Sequence, residues 1–258
     1  MTNPNPEEPL ALALELAGRT PSVALGLGNQ YLGLELVEDS STHHDDLIPA
    51  INRLFQQHNK KPADLNEIYL SIGPGGFTGL RKSVTTAKML ALTTNAKILP
   101  IPTAEILAQA VPCPLTMNDE NNSPSILIVS LAYKRGQSWC TTFHPKTQNS
   151  ENSASQSYWS PKQNPSFEEI IPLCNTFNQP IILTGDIPDN DRQKLQSLKY
   201  IHYHQPQYSA QNAWRVAMRH RKKITLGSET WEKPENLVPF YGREPEAVRL
   251  WKIRPKSK

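Results

Sequence analysis

Only three cysteines occur in the 258 residues, Cys113, Cys140 and Cys174, and no two are spaced as CxxC. Neither a zinc site nor a disulfide framework is indicated, and a reducing compartment is the simpler reading. Aromatic residues are sparse at 7%, and charge of one sign is lacking too: 27 Lys and Arg against 24 Asp and Glu leave a net +3. So small an excess does not by itself argue nucleic-acid binding, which needs a concentrated basic surface. No apolar run approaches membrane-spanning length. The lead MTNPNPEEPLALALELAG has no basic n-region, and Glu15 interrupts its short apolar stretch. The expectation is therefore no signal peptide and a cytoplasmic protein. Proline is numerous, at 23, beside 38% hydrophobic and 20% charged residues. That balance predicts polar extended loops on an ordinary core, filling one large domain or two lobes.

The chain opens with three expected strands, Leu10 to Leu16, Ser22 to Leu27 and Tyr31 to Val37, the last two joined by a hairpin signal at Gly28-Asn29-Gln30. From Asp45 to His58 the period becomes helical, with Leu47, Ile51, Leu54 and His58 on one face. A strand over Ile68 to Ile72, a glycine-rich loop, a helix from about Leu80 to Thr93, a strand over Ile98 to Ile101 and a helix capped by Thr103 follow. The alternation after the opening meander implies an α/β fold with a mixed sheet covered by helices. A polar stretch, Met117 to Pro124, marks a boundary, giving an N-terminal lobe at 1–113 and a C-terminal lobe at 124–258. In the second lobe, strands at Ile126–Leu131 and Gln137–Phe143 echo the opening pair, and 144–165 reads as a solvated polar insert. Beyond it, Phe167 to Phe177, Asp189 to Leu198 and Ala210 to Arg221 read as helices, with strands at Ile181–Leu183 and Tyr200–His204.

The loop Gly73-Pro74-Gly75-Gly76-Phe77-Thr78-Gly79-Leu80-Arg81 lies between a strand and a helix, where backbone N–H groups favour anions. Register decides against the phosphate motifs. A Walker A loop ending in Lys82-Ser83 needs glycine at 81, which is Arg81, and a dinucleotide fingerprint from Gly73 needs Gly or Ala at 78, which is Thr78. The glycines read instead as a sharp, close-packed crossing. In the following helix Leu80, Val84, Ala87 and Ala91 form a stripe, with Ser83 beside it. Small residues there permit close helix approach, either in the core or in a partner.

Other candidates are weaker. His43 and His44 are sequence neighbours outside any HExxH spacing, and His202 and His204 share a strand face without a third ligand. Arg215, Arg219, Arg221, Lys222 and Lys223 make a basic helix end that suits the helix dipole, with tRNA contact the alternative. No GxSxG elbow is present.

The string GPGGFTGLRKSVTTAKMLAL resembles the GPGSFTGLR signature and small-residue helix of the TsaB family. His43-His44-Asp45-Asp46-Leu47-Ile48-Pro49 is similar to that family's HSE-x-LLP helix start, and Lys134-Arg135-Gly136-Gln137 to its RRGE turn. Leu183-Thr184-Gly185-Asp186 is similar to a VGDG strand end, and Pro239 to Pro245 to the terminal P-x-YLR segment. The resemblance implies a two-lobed actin-like ATPase (ribonuclease H-like) fold and a heterodimer with the catalytic paralogue TsaD, joined by the ATPase TsaE. Together they place threonylcarbamoyl on N6 of adenosine 37 in tRNAs reading A-starting codons. It further implies a non-catalytic scaffold with no cofactor bound alone, ATP and metal belonging to the partner subunits. The pairing helices correspond to 45–58 and 80–93, which makes Leu47, Ile51, Leu54, Leu80, Ser83, Val84, Ala87 and Ala91 the implied partner-binding residues. Departures accompany it. Glu15-Leu16-Ala17 stands where actin-like ATPases carry an Asp-Thr-Ser-like turn, Ala132-Tyr133-Lys134 replaces Asp-Ala-Arg, and Gly76 replaces serine. The rival reading is an active actin-like ATPase or small-molecule kinase, and a homodimer with another role is a third.

Overall fold

The computed structural model describes residues 8–38, 46–114, 125–134, 137–150, 153–162, 164–198 and 200–242. Strands β1 (Leu10–Glu15), β2 (Ser22–Leu27) and β3 (Gln30–Leu36) form the expected antiparallel meander. β4 (Leu65–Gly73) and β5 (Lys97–Pro102) then add in parallel, giving the order β3-β2-β1-β4-β5. Two helices, α1 (Leu47–Gln57) and α2 (Phe77–Thr94), make the crossovers, and α3 (Thr103–Ala110) leads out.

The second sheet repeats this plan. β6 (Ile126–Lys134) pairs antiparallel with β7 (Gln137–Ser150), which pairs with β8 (Ser153–Pro161) and with the short β9 (Ser166–Glu169). After α4 (Ile170–Asn175), β10 (Ile181–Gly185) joins β6 in parallel; α5 (Asp189–Gln196) then leads to β11 (Ile201–Tyr203), parallel to β10. The path β11-β10-β6-β7-β8 is the first sheet's order in reverse notation: a central strand, two antiparallel neighbours on one side and two parallel ones on the other. Two mixed sheets of one topology, flanked by helices, are the actin-like arrangement that the resemblance implied.

Alternation along β1 explains how its sheet is covered on both faces. Leu10, Leu12 and Leu14 turn toward α1 and α2, joining Leu47, Leu54, Val84 and Ala87 in one core. Ala11 and Ala13 turn the other way, where their small side chains admit α6 (Ala210–Thr225) with Trp214, Val216 and Ala217. This helix lies late in sequence, within 124–258, yet it packs on the first sheet. Its N-terminus is fixed there, because the Ala210 N–H donates to Ser22 Oγ at 3.0 Å and the Ser209 hydroxyl accepts from the Gln211 N–H. α3 does the reverse: Ala104, Leu107 and Ala108 pack with Leu127, Val129 and Phe143 of the second sheet. The two helices thus interleave the halves.

Three expectations are corrected. The polar insert at 144–165 is largely a continuation of β7 and the whole of β8, paired from Phe143↔Pro161 to Ser150↔Ser153. Its polar sequence is carried on a hairpin anchored where Trp159 is buried and donates to Val111 O at 3.2 Å. Phe167 begins no helix, since β9 pairs with β7 and sets Phe167 6.0 Å from Trp139. Thr103 is the first helical residue and not the cap, and its buried hydroxyl makes no hydrogen bond among the described residues.

Candidate functional site

The glycine loop is shaped by what presses on it. Gly73 sits at φ +112, and a Cβ there would lie 1.9 Å from Phe240 O; a Cβ on Gly79 would lie 1.7 Å from Leu16 O. Only glycine fits such approaches. The Gly76 N–H donates to Ala17 O at 2.9 Å, tying the loop to the end of β1. α2 then starts at Phe77, a turn earlier than the apolar stripe alone suggested.

A strap that sequence patterning missed closes over this helix start. The Phe240 N–H donates to Ile72 O at 2.7 Å, and Arg81 Nε donates to Tyr241 Oη at 3.1 Å. Phe77 stacks on Tyr241 with ring centroids 4.7 Å apart, and the Arg81 guanidinium lies 4.1 Å over Phe77. From the second sheet Trp139 packs edge-on against Phe240 and donates its indole N–H to Gly242 O. The aromatic content of 239–242 was the available signal; no periodicity marks a strap. Arg243, Glu244 and Pro245 of the same expected motif lie outside the described residues, as do His43, His44, Asp45, Arg135 and Gly136.

The implied partner-binding residues turn inward. Leu47, Ile51, Leu54, Leu80, Ser83, Val84, Ala87 and Ala91 are all buried in the chain's own structure, none more than 6% exposed. The stripe faces the sheet, because an amphipathic crossover helix must cover the strands it connects. The surface these helices turn outward is a different set. On α2, Met89 is 48% and Leu92 74% exposed, with Thr85 on the same face and Phe77, 44% exposed, at the helix start. On α1, Ile48 is 43% exposed. Between the two helix starts lies a cleft of about 440 Å³, lined among others by Glu38, Asp46, Phe77, Thr78 and Lys82.

The other candidate region is the junction of the two sheets, where an actin-like ATPase holds its nucleotide. Glu15, at the end of β1, is fully buried. One carboxyl oxygen accepts the Ala17 N–H at 2.7 Å, while Oε2 has no hydrogen-bond partner among the described residues. Burial pushes this carboxyl up to about 7, against the weaker lowering pull of Ser71 and the Ala17 and Gly18 backbone. Tyr208 occupies the space beside it. Its ring lies where a Cβ on Gly18 would fall, 2.1 Å from Tyr208 Cγ, and its hydroxyl donates to Asp186 Oδ1 at 2.8 Å. These residues do not fit a magnesium nucleotide: the acid is fully buried with its charged form disfavoured, and an aromatic ring packs on the neighbouring Gly18. No group of three or more His, Cys, Asp or Glu side chains suited to a metal occurs among the described residues, and none of their helices is long and apolar enough to cross a membrane.

The family model for TsaD, tRNA N6-adenosine threonylcarbamoyltransferase, matches residues 36–133, the stretch holding α1, the signature loop and α2. The tRNA threonylcarbamoyladenosine biosynthesis protein TsaB of Bacillus subtilis is 30% identical over 97 residues, 38% of this chain and 42% of that protein. The TsaB of Buchnera aphidicola from Schizaphis graminum is 37% identical over 67 residues, 26% of this chain and 32% of that one. The matched stretch therefore spans less than half the length of these curated relatives. In fold the likeness is broader. YeaZ from Pseudomonas aeruginosa superimposes with a TM-score of 0.63 at 14% identity, covering 90% of this chain and 99% of that structure. A second Pseudomonas aeruginosa structure, described as similar to peptidase YEAZ, gives 0.64 at 14% identity over 91% of this chain and 100% of its own. In sequence around the signature loop and in fold over nine-tenths of its length, the chain is TsaB/YeaZ-like.

Proposed function

We propose that this chain is the non-catalytic platform subunit of the cytoplasmic complex that forms N6-threonylcarbamoyladenosine at position 37 of tRNAs reading A-starting codons. In that reading it holds a TsaD-type catalytic paralogue as a heterodimer, and a TsaE-type ATPase joins the pair. The names of the TsaB relatives and the TsaD family match support the pathway. One observation carries the platform role: α2, the helix that bears the signature, leaves Met89 and Leu92 bare while its inner stripe is spent on the fold. Apolar side chains that close together on one helix face are what a second chain covers on docking. Glu15 and Tyr208, placed as they are, support a chain that does no hydrolysis of its own.

The test separates the two faces of α2. Met89→Arg and Leu92→Arg leave the unfolding midpoint of the isolated chain unchanged but abolish co-elution with its own organism's TsaD-type paralogue. Val84→Arg, which forces a charge into the core, unfolds the chain outright. Wild-type protein that never co-elutes at micromolar concentration ends the platform reading. So do outward-face variants that bind as wild type does.

A further inference from the structure

The structure divides the five cations of α6 into two sets. Arg221 pairs with Glu67 at 3.1 Å and donates to Gly28 O at 3.0 Å, while Lys223 reaches Glu229 at 2.9 Å. Those two hold the fold. Arg215, Arg219 and Lys222 stand at i, i+4 and i+7, so they share one helix face. All three line a cleft of about 340 Å³ between α6, α3 and the β7–β8 hairpin. No carboxylate lines it, and neither Arg215 nor Lys222 has an ion-pair partner among the described residues.

Arg219 is the fixed member. Its guanidinium donates to Gln109 Oε1 and lies 4.9 Å over the Tyr158 ring. Burial holds its pKa down despite the nearby Glu105 carboxylate, so the charge is partly stripped of water. A planar cation oriented by a neutral amide and an aromatic ring, with two more cations beside it, is matched to a phosphate next to a flat ring. Guanidinium forks take phosphate oxygens, Tyr158 offers a surface for a base, and amides such as Gln109 read base edges. An acidic peptide would use the cations but not the ring or the amide.

We propose that this cleft binds a nucleotide unit, its phosphate at Arg215, Arg219 and Lys222 and its base beside Tyr158. If the chain works in tRNA modification as proposed above, that unit belongs to an RNA strand; a free nucleotide offers the same chemistry. The site lies on α6, away from the outward face of α2, so it is free when the catalytic paralogue is docked there.

The full-length chain is titrated by fluorescence anisotropy with a labelled tRNA anticodon stem-loop, and by calorimetry with AMP. Arg215→Ala and Lys222→Ala, both at exposed positions, are run beside wild type, with circular dichroism to confirm folding. Wild type binds at least one probe. Each variant weakens it, and for the stem-loop lowers the slope of log affinity against log salt by roughly 0.7 per cation removed. Stem-loop binding that AMP does not match identifies the strand as the source, and AMP binding alone identifies the free nucleotide. Binding of neither probe overturns the proposal. Binding that both variants leave intact, or that a poly-glutamate peptide competes away as well as RNA does, also overturns it. Both variants should still co-elute with the TsaD-type paralogue. Loss of that co-elution in wild type speaks against the platform role and leaves the cleft to be judged by its own titration.

Discussion

Glu15 is a fully buried carboxyl whose charge has little support. Its folded pKa is raised from 4.5 to about 7 because burial outweighs the hydrogen bonds it accepts. The unfolded chain ionises at the lower value, so between about 4.5 and 7 the folded state binds more protons, and stability falls as pH rises through that window. Above it the full penalty applies, on the order of 3 kcal/mol for such a shift. Glu15→Gln keeps the volume and removes the charge. Its urea midpoint should exceed that of wild type at pH 8 and approach it at pH 5, whereas a Glu15→Gln protein less stable than wild type at pH 8 refutes the assignment. The sequence revealed that this acid was misplaced for hydrolysis, because the neighbouring residues are Leu16 and Ala17 rather than hydroxyl-bearing ones. It did not reveal that the carboxyl is sealed, since burial depends on tertiary packing that no local pattern shows.

At the scale of elements, α6 shows what a local pattern conceals. Its basic run reads as a solvated helix end, yet Arg221 reaches the 6%-exposed Glu67 on β4, which also accepts the Tyr69 hydroxyl. Removing one member of a largely buried pair strands the other's charge, a loss of about 3–5 kcal/mol. Arg221→Ala should therefore lower the unfolding free energy by about that much in urea titration, while Arg215→Ala leaves it within about 0.5 kcal/mol. Equal effects would mean that α6 is held by its apolar face alone. Strands β1, β2 and β4 and helices α1 to α3 were legible because period and turn residues agree there. The far part of the β7–β8 hairpin was not, because its run of Asn, Ser, Gln and Thr has none of the apolar alternation that marks a half-buried strand. The stripe on α2 was found correctly but its direction was not: small side chains suit a core and a partner equally, and only the sheet beneath decides.

The whole molecule repeats one strand order in two sheets, and each half lends a helix to the other: α3 sits on the second sheet and α6 on the first. In an actin-like ATPase the space between such halves must open to admit nucleotide and present an ionised acid to its metal. Here the segment entering α6 carries Tyr208 into that space, with its hydroxyl held by Asp186 at the end of β10 and its ring against Gly18 after β1. These two contacts link the ends of β1 and β10. The isolated chain should release no phosphate from Mg-ATP, and any nucleotide binding seen by calorimetry should be lost in Arg215→Ala and kept in Tyr208→Ala, as the α6 cleft requires. Tyr208→Ala should not restore hydrolysis, because Glu15 stays within the sheet at the end of β1; the variant should instead loosen the junction, seen as faster amide exchange at the ends of β1 and β10. Turnover by wild type, or turnover appearing in Tyr208→Ala, would show that the acid at position 15 still does chemistry and that the rival enzyme reading is the right one.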